Sequence, residues 1–407
     1  MTVIDTVKKQ IVLKRAAVVV AALCWPLCAS AQPPYTLVDL GVVGAAGAPN
    51  QITNNGISVG SVQGSDGNDH AVIYFDQQII DISKPGLGGA NSEAVGNNAW
   101  TQVVGGANIP NVDPKGEDFC GFQSLGIATA TASCLPFLWQ DSRMIALPTL
   151  GHNHGNNGVA NAINDFGEAA GAAENTIMEK SCPTYSPALL QFQQYQYKPV
   201  VWRDNATEEL ATVGGDPVGL AAAINNNGQA VGTTGTCAGF NPLANSFISP
   251  LHAVLWEKDG TPTDLGSLGG NVQSLMGTAA KDVNSRGHVV GFSSLPDNVT
   301  VNAFLWTRES SKMKALVPIQ GIANSIAIAL NDSDEVVGSS IDSTFTTLVA
   351  TIWKHGVPAD LNTLIPANSS LYLLFGCSIN SRGQILGLAA HLAGTEYHAY
   401  ELIPAGE

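Results

Sequence analysis

Residues 252–291 read HAVLWEKDGTPTDLGSLGGNVQSLMGTAAKDVNSRGHVVG, and this stretch decides how the chain is organised. An apolar-aromatic run ends at Trp256. Asp259-Gly260 marks a tight turn, and a second run passes through Asp264-Leu265-Gly266. A glycine-rich connection leads to a third run ending at Val283. Asn284-Ser285-Arg286-Gly287 is a further turn, and His288 to Gly291 form the fourth run. Short runs of this composition, bounded by Gly, Asn and Asp, read as antiparallel strands.

The same landmarks recur along the chain. The aromatic ending the first run is Tyr74, Trp139, Trp202, Trp256, Trp306, Trp353 and Tyr400, at spacings of 47–65 residues. The glycine of the fourth run is Gly60, Gly105, Gly171, Gly232, Gly291, Gly338 and Gly387. Each series has seven members. The Asn-x-x-Gly turn recurs at Asn164–Gly167, Asn225–Gly228, Asn284–Gly287 and Asn380–Gly383, with Asp334 in the glycine slot of Asn331–Asp334. Asn caps such a turn through its side chain, and Gly accepts the left-handed backbone that follows. In the second unit Gly96-Asn97-Asn98-Ala99 is the nearest match.

Four short strands cannot bury both faces alone, so the units must pack on one another. Stacked units of this length predict an all-β chain: a seven-bladed β-propeller of four-stranded antiparallel blades. A parallel β-helix would need about half the period. The run Tyr35–Leu40 matches the second strand of a unit, and His398–Leu402 matches the first. Pairing these terminal strands would close the ring and remove an exposed edge.

Residues 1–31 read as a signal peptide and 32–407 as a single seven-repeat domain. Lys8, Lys9, Lys14 and Arg15 precede the short apolar run Ala16–Leu27, and Ala29-Ser30-Ala31 offers a small-x-small cleavage site. The apolar run is too short to span a bilayer. Trp25-Pro26-Leu27 before Cys28 lacks the small residues of a lipoprotein box. An exported protein is expected, periplasmic or extracellular, with no membrane span. With 13% charged and 45% hydrophobic residues the chain is neither disordered nor a coiled coil. Its formal net charge of -15 argues against nucleic acid as a partner.

Removing the leader leaves Cys120, Cys134, Cys182, Cys237 and Cys377, an odd number. Cys120 and Cys134 lie in one long connection, Cys182 and Cys237 in adjacent ones. Long loops gain most from cross-links, so disulfides Cys120–Cys134 and Cys182–Cys237 are expected, with Cys377 a buried free thiol.

The ordered set of a His-Ala-Phe-like strand, Trp, Asp-Leu-Gly, Gly-Gly, Asn-x-x-Gly and Val-Val-Gly resembles the HAF family of extracellular repeat proteins. The best local matches are His252–Trp256, Asn302-Ala303-Phe304-Leu305-Trp306 and Asp264–Gly270, and the resemblance spans nearly all of residues 35–405. It implies a secreted bacterial-type repeat protein and brings no activity or catalytic residues with it.

No catalytic, cofactor or metal-binding residues are assigned. Gly56-Ile57-Ser58-Val59-Gly60 matches the GxSxG of a nucleophile elbow, which needs a strand, a sharp turn and a helix. Here Ser58 holds a strand position that Ala169, Ala230, Val289, Val336 and Ile385 hold elsewhere, which is a structural slot. His70, His252 and His398 share one repeat position and read as blade packing or hydrogen bonding. His152 and His154 are two potential ligands, which do not make a metal site. Asp39, Asp81, Asp264 and Asp360 recur beside a turn and read as caps. Asp66–Asp69 and Asp332–Glu335 lack the ligand spacing of a calcium loop.

In an up-and-down blade the connections alternate between faces. The Asp-Gly and Asn-x-x-Gly turns therefore share one face. The other carries all the length variation, with long loops expected at 106–136, 172–198 and 233–251, in three consecutive units. Tyr185, Phe192, Tyr195 and Tyr197, interleaved with amides such as Gln194, are the candidate binding residues there, for a polysaccharide or protein ligand. The expected function is a binding or scaffold module acting through this long-loop face. The alternative is a propeller enzyme, a glycan hydrolase or lyase, with its site at the mouth of the central channel.

Overall fold

The small residues of the Val-Val-Gly strands show how each blade is built. In six blades the strand beside this glycine carries a β-bulge, placing register shifts at Ala94/Gly96, Ala160/Ala162, Ala221/Ala223, Ala280/Asp282, Ala327/Ala329 and Gly376/Ser378. The bulge drives a carbonyl onto the next strand. A Cβ at Gly105, Gly171, Gly232, Gly291, Gly338 or Gly387 would overlap the oxygen of Glu93, Val159, Leu220, Ala279, Ile326 or Phe375. The glycine is therefore a steric requirement of the bulge.

The computed structural model describes residues 33–43, 49–122, 132–151, 157–182, 194–204, 206–241, 246–271 and 276–406, with no side-chain account of 238–247. The proposed leader, His152, His154, Tyr185 and Phe192 lie outside these residues. The described chain forms seven four-stranded antiparallel sheets in a ring, a seven-bladed β-propeller. Blade 1 runs from Gln51 to Asp81, blade 2 from Ser92 to Ala146, blade 3 from Gly158 to Glu209 and blade 4 from Val218 to Asp264. Blade 5 runs from Thr278 to Leu316, blade 6 from Asn324 to Asp360 and blade 7 from Leu371 to Pro404, completed by Tyr35–Val42.

Each blade starts with the strand before the Asn-x-x-Gly turn. These seven strands touch one another in sequence around the axis, so they are innermost. The repeat as it reads in sequence thus straddles two blades: Trp256 and Asp264 belong to blade 4, Val283 and Gly291 to blade 5. Strand Tyr35–Val42 is the outermost strand of blade 7, antiparallel to Tyr397–Pro404 in the register Tyr35↔Pro404 to Val42↔His398. The expected closure by the two ends is present.

Neighbouring blades are fastened by their repeat residues. The indole N–H of Trp202, Trp256 and Trp353 donates to the carbonyl of Pro148, Ala211 and Val317 of the preceding blade, at 2.7, 2.7 and 2.8 Å. A buried Trp so placed contributes both apolar area and a satisfied donor. On the turn face the capping Asn reaches to the following blade. Asn98, Asn164, Asn225, Asn284, Asn331 and Asn380 each donate from Nδ2 to the carbonyl of the next turn, ending at Thr53.

Blade 2 corrects the expected turn register. Its cap is Asn98, whose Oδ1 accepts from the amides of Trp100 and Gln102, so the turn is Asn98-Ala99-Trp100-Thr101. Thr101 takes φ +62 in the slot that Gly fills elsewhere.

Candidate functional site: the raised hairpins of blades 2 to 4

The segments expected as long loops are in large part β-ladder. The two central strands of blade 2 run to Val112 and from Ala132, those of blade 3 to Met178 and from Tyr195, and those of blade 4 to Asn241 and from Ser246. Backbone pairing continues past the blade because these segments are rich in small and β-prone residues without a turn signal at the blade edge. The result is three adjacent hairpins standing above one face.

Both expected disulfides are present. Cys120–Cys134 ties the blade 2 hairpin to the segment that follows its first strand, and Cys182–Cys237 joins blade 3 to blade 4, with Cα atoms 4.6 Å apart. Cys377 is free. It is half-buried rather than fully buried, and desolvation pushes its thiol up to about 12.

Blades 2 and 3 are joined by carboxylates. Asp113 Oδ1 accepts the amides of Lys115 and Glu117 at 2.9 Å each, forming the turn that brings Glu117 inward. Glu117 Oε1 accepts the amides of Gln194 and Tyr195, where the second hairpin strand of blade 3 begins. Asn157 donates from Nδ2 to Asp113 and to Glu174, both at 3.0 Å, and its amide donates to Glu174 at 2.7 Å. Glu117 and Glu174 are both 0% exposed. Glu117 Oε2, Glu174 Oε1 and the Tyr197 hydroxyl are buried without a hydrogen-bond partner among the described residues. Burial raises the pKa of both glutamates, and the charge of Glu117 raises that of Glu174 further. Like charges in a dry site favour the protonated form. The cluster is a structural clamp closed to solvent.

The sequence-predicted residues separate. Gln194 and Tyr195 are half-buried where the second hairpin strand of blade 3 begins, opposite Met178, with Lys115 Nζ 5.7 Å from the Tyr195 ring centre. Tyr197 does not present itself for binding. It is 3% exposed and packs edge-on against Phe119, with ring centres 6.0 Å apart. The platform exposes apolar side chains, Val112, Ile177 and Met178, at the far ends of the blade 2 and blade 3 hairpin strands, beside the exposed polar residues Asn111, Thr176 and Lys180. Sequence reasoning passed over these residues because an isolated Val or Ile in a polar loop carries no motif. It passed over Glu117 and Glu174 because charge alone does not indicate burial.

The bulged residues of the six innermost strands, Val95, Asn161, Ala222, Lys281, Ile328 and Cys377, are half-exposed and ring the axis. Lys281 is pushed down to about 8 and Asp282 up to about 6, in both cases chiefly by desolvation. Asp282 accepts the amides of Val283 and Leu330, so it fastens blade 5 to blade 6. Among the described residues no three His, Cys, Asp or Glu side chains are grouped to hold a metal.

The remaining sequence motifs are structural. Ser58 is buried in a strand between Ile52 and Tyr74. His70 Nδ1 lies 2.9 Å from Asp81 and His398 Nδ1 2.8 Å from Asp39, each in its own blade, and His252 Nδ1 lies 2.9 Å from Asp216 in the connection that leads into blade 4. Asp39, Asp81, Asp264 and Asp360 each accept the amide two residues on, as caps do.

No protein-family model matches the chain, and no curated protein does. Solved structures do. A puromycin-hydrolysing peptidase of Mycobacterium tuberculosis is similar at 11% identity with a TM-score of 0.50, over 91% of this chain and 56% of that one. The chain therefore spans little more than half that peptidase. An oligogalacturonate lyase of Vibrio parahaemolyticus is similar at 9% identity with a TM-score of 0.46, over 90% of this chain and 93% of that one. At such identities the likeness extends to the propeller architecture and no further.

Proposed function

We propose that the protein is a binding or scaffold module of the HAF-like repeat type, exported, that holds a protein or polymer ligand on the raised hairpins of blades 2 to 4. The observation that supports this reading most is the rigid presentation of exposed Val112, Ile177 and Met178. Their hairpins are tied by Cys120–Cys134, by Cys182–Cys237 and by the Asp113–Asn157–Glu174 hydrogen bonds. Apolar side chains fixed in place lose little entropy on binding. The two disulfides suit an oxidising compartment. Among the described residues no helix is long and apolar enough to cross a membrane. Capture experiments with wild type and with Val112→Asp/Ile177→Asp test the reading. A ligand retained by the wild type and lost by the double variant supports it, and equal retention rejects it.

The second reading, a propeller enzyme acting on glycans, draws on the shifted Lys281 and Asp282 beside the channel. Release of reducing ends or unsaturated sugars from glycan substrates, abolished by Lys281→Met, would favour it over a passive module.

A further inference from the structure

The opposite face carries a second feature that does not depend on the platform. The third position of the Asn-x-x-Gly turn is Asn55, Asn227, Arg286, Ser333 and Arg382 in five blades, but Trp100 in blade 2 and Phe166 in blade 3. Both aromatics stand in solvent, 73% and 74% exposed. Single exposed apolar residues are ordinary, but two large rings on consecutive turns form a patch. Between them lies a cleft of about 370 Å³ lined also by Thr101, Gln102, Gln140 and Asp141.

The cleft is preorganised. The Trp100 indole N–H donates to the carbonyl of Asp165 at 2.9 Å, which fixes the ring while leaving its face open. Asp165 accepts the amide of Ala99 at 2.9 Å and the side-chain amide of Asn226 at 2.8 Å, locking the Phe166 turn to its neighbours. Gln102 Nε2 donates to Gln140 Oε1 at 2.8 Å, which leaves the Gln140 amide N–H groups without a described partner, next to the exposed carboxylate of Asp141. Thr101 holds φ +62, a conformation that is costly for a β-branched residue and that gathers at functional sites.

We propose that this cleft binds neutral glycan chains, with Trp100 and Phe166 stacking on the apolar faces of pyranose rings and Gln140 and Asp141 hydrogen-bonding to hydroxyls. Two aromatic platforms and a fixed amide-carboxylate edge match a ligand that has apolar ring faces and a polar rim. A quaternary ammonium cage would need rings that enclose the cation. Here both rings stand open to solvent on either side of the cleft.

The test is a glycan array of neutral gluco-, galacto- and manno-configured hexasaccharides. It is probed with the full chain, with Trp100→Ala, with Phe166→Ala and with Trp100→Phe, each first checked for an unchanged melting temperature. Trp202, Trp256, Trp306 and Trp353 are buried and Trp139 is partly buried, so the red-edge indole emission that Trp100→Ala removes reports Trp100. Binding of one configuration, with a blue shift of that emission, is expected. Either alanine variant should bind at least tenfold more weakly, while Trp100→Phe retains binding. The proposal is overturned if no neutral hexasaccharide binds, if the alanine variants bind like wild type, or if choline rather than sugar shifts the emission.

Discussion

Asn380 donates from Nδ2 to the carbonyl of Thr53, 3.0 Å away and 327 residues earlier in the chain. The bond closes a relay of turn asparagines, each of which caps its own turn and holds the next blade. Asn225 shows what one member contributes. Its Oδ1 accepts the amides of Asn227 and Gln229, both at 3.0 Å, and its Nδ2 reaches the carbonyl of Asn284 at 2.8 Å. Asn225→Ala orphans two amide donors, of which that of Gln229 is buried, and two acceptors, the Asn284 carbonyl and Gln229 Oε1. At about 1–3 kcal/mol per unsatisfied group, partly relieved by water, a loss of about 3 kcal/mol is expected in chemical denaturation. Asn225→Asp keeps the cap but cannot donate to Asn284, so it should fall between wild type and alanine. If Asn225→Ala melts like wild type, the relay is decorative.

The bulge glycines make a sharper prediction. At Gly291 a Cβ would meet the Ala279 carbonyl and the Cα of Ala280, both backbone. Backbone cannot yield as a side-chain end can, so Gly291→Ala should cost about 3 kcal/mol or more, or prevent folding. Gly67 has open space around its Cβ but φ +81, so Gly67→Ala should cost only about 1 kcal/mol, from backbone strain. Thermal melts of the pair separate close packing from turn conformation. Equal costs would mean that the bulge does not dictate the glycine.

How far these relations were legible in the chain depended on whether the signal was local. Blade number and ring closure follow from the spacing of Trp202, Trp256 and their counterparts, and from partial repeats at Tyr35 and Tyr400. Those patterns arise from short-range alternation and turn chemistry. The innermost strand was hidden, because the three inner strands of a blade are alike in their small and apolar residues and only the bulge distinguishes the first. The Trp100 turn was misplaced by two residues, since Thr101 adopts a glycine conformation without being glycine. The burial of Glu174 comes from contacts between blades 2 and 3, which no window of sequence contains.

The two disulfides should differ in what they contribute. Cys182–Cys237 closes a separation of 55 residues and Cys120–Cys134 one of 14. Loop-closure entropy assigns them about 4 and about 3 kcal/mol. The longer link also joins two blades, so Cys182→Ser/Cys237→Ser should lower the unfolding midpoint more than Cys120→Ser/Cys134→Ser. It should also increase amide exchange in both the blade 3 and blade 4 hairpins. Exchange confined to one hairpin would show that the cross-link does not couple the blades.

Burial of acids predicts an unusual pH profile. Glu117 and Glu174 have pKa values raised above 4.5 by desolvation, and Glu93 is raised to about 7 for the same chief reason. An acid whose pKa is higher in the folded state holds more protons there than in the unfolded chain. Stability therefore falls as pH rises from about 4.5 towards 7 and stays lower above that window. In the opposite sense, desolvation at Asp342 is outweighed by its hydrogen bonds to Thr346 and Thr347, which hold it down to about 2, so its contribution is lost only at strongly acidic pH. The melting temperature should therefore peak near pH 5 and decline towards pH 8. Glu174→Gln keeps an acceptor for Asn157 and removes one titrating group from the cluster. It should raise the melting temperature at pH 8 by several degrees, leave it nearly unchanged at pH 5, and flatten the slope between. A variant that destabilises equally at both pH values would show that Glu174 is ionised and paired in the folded protein.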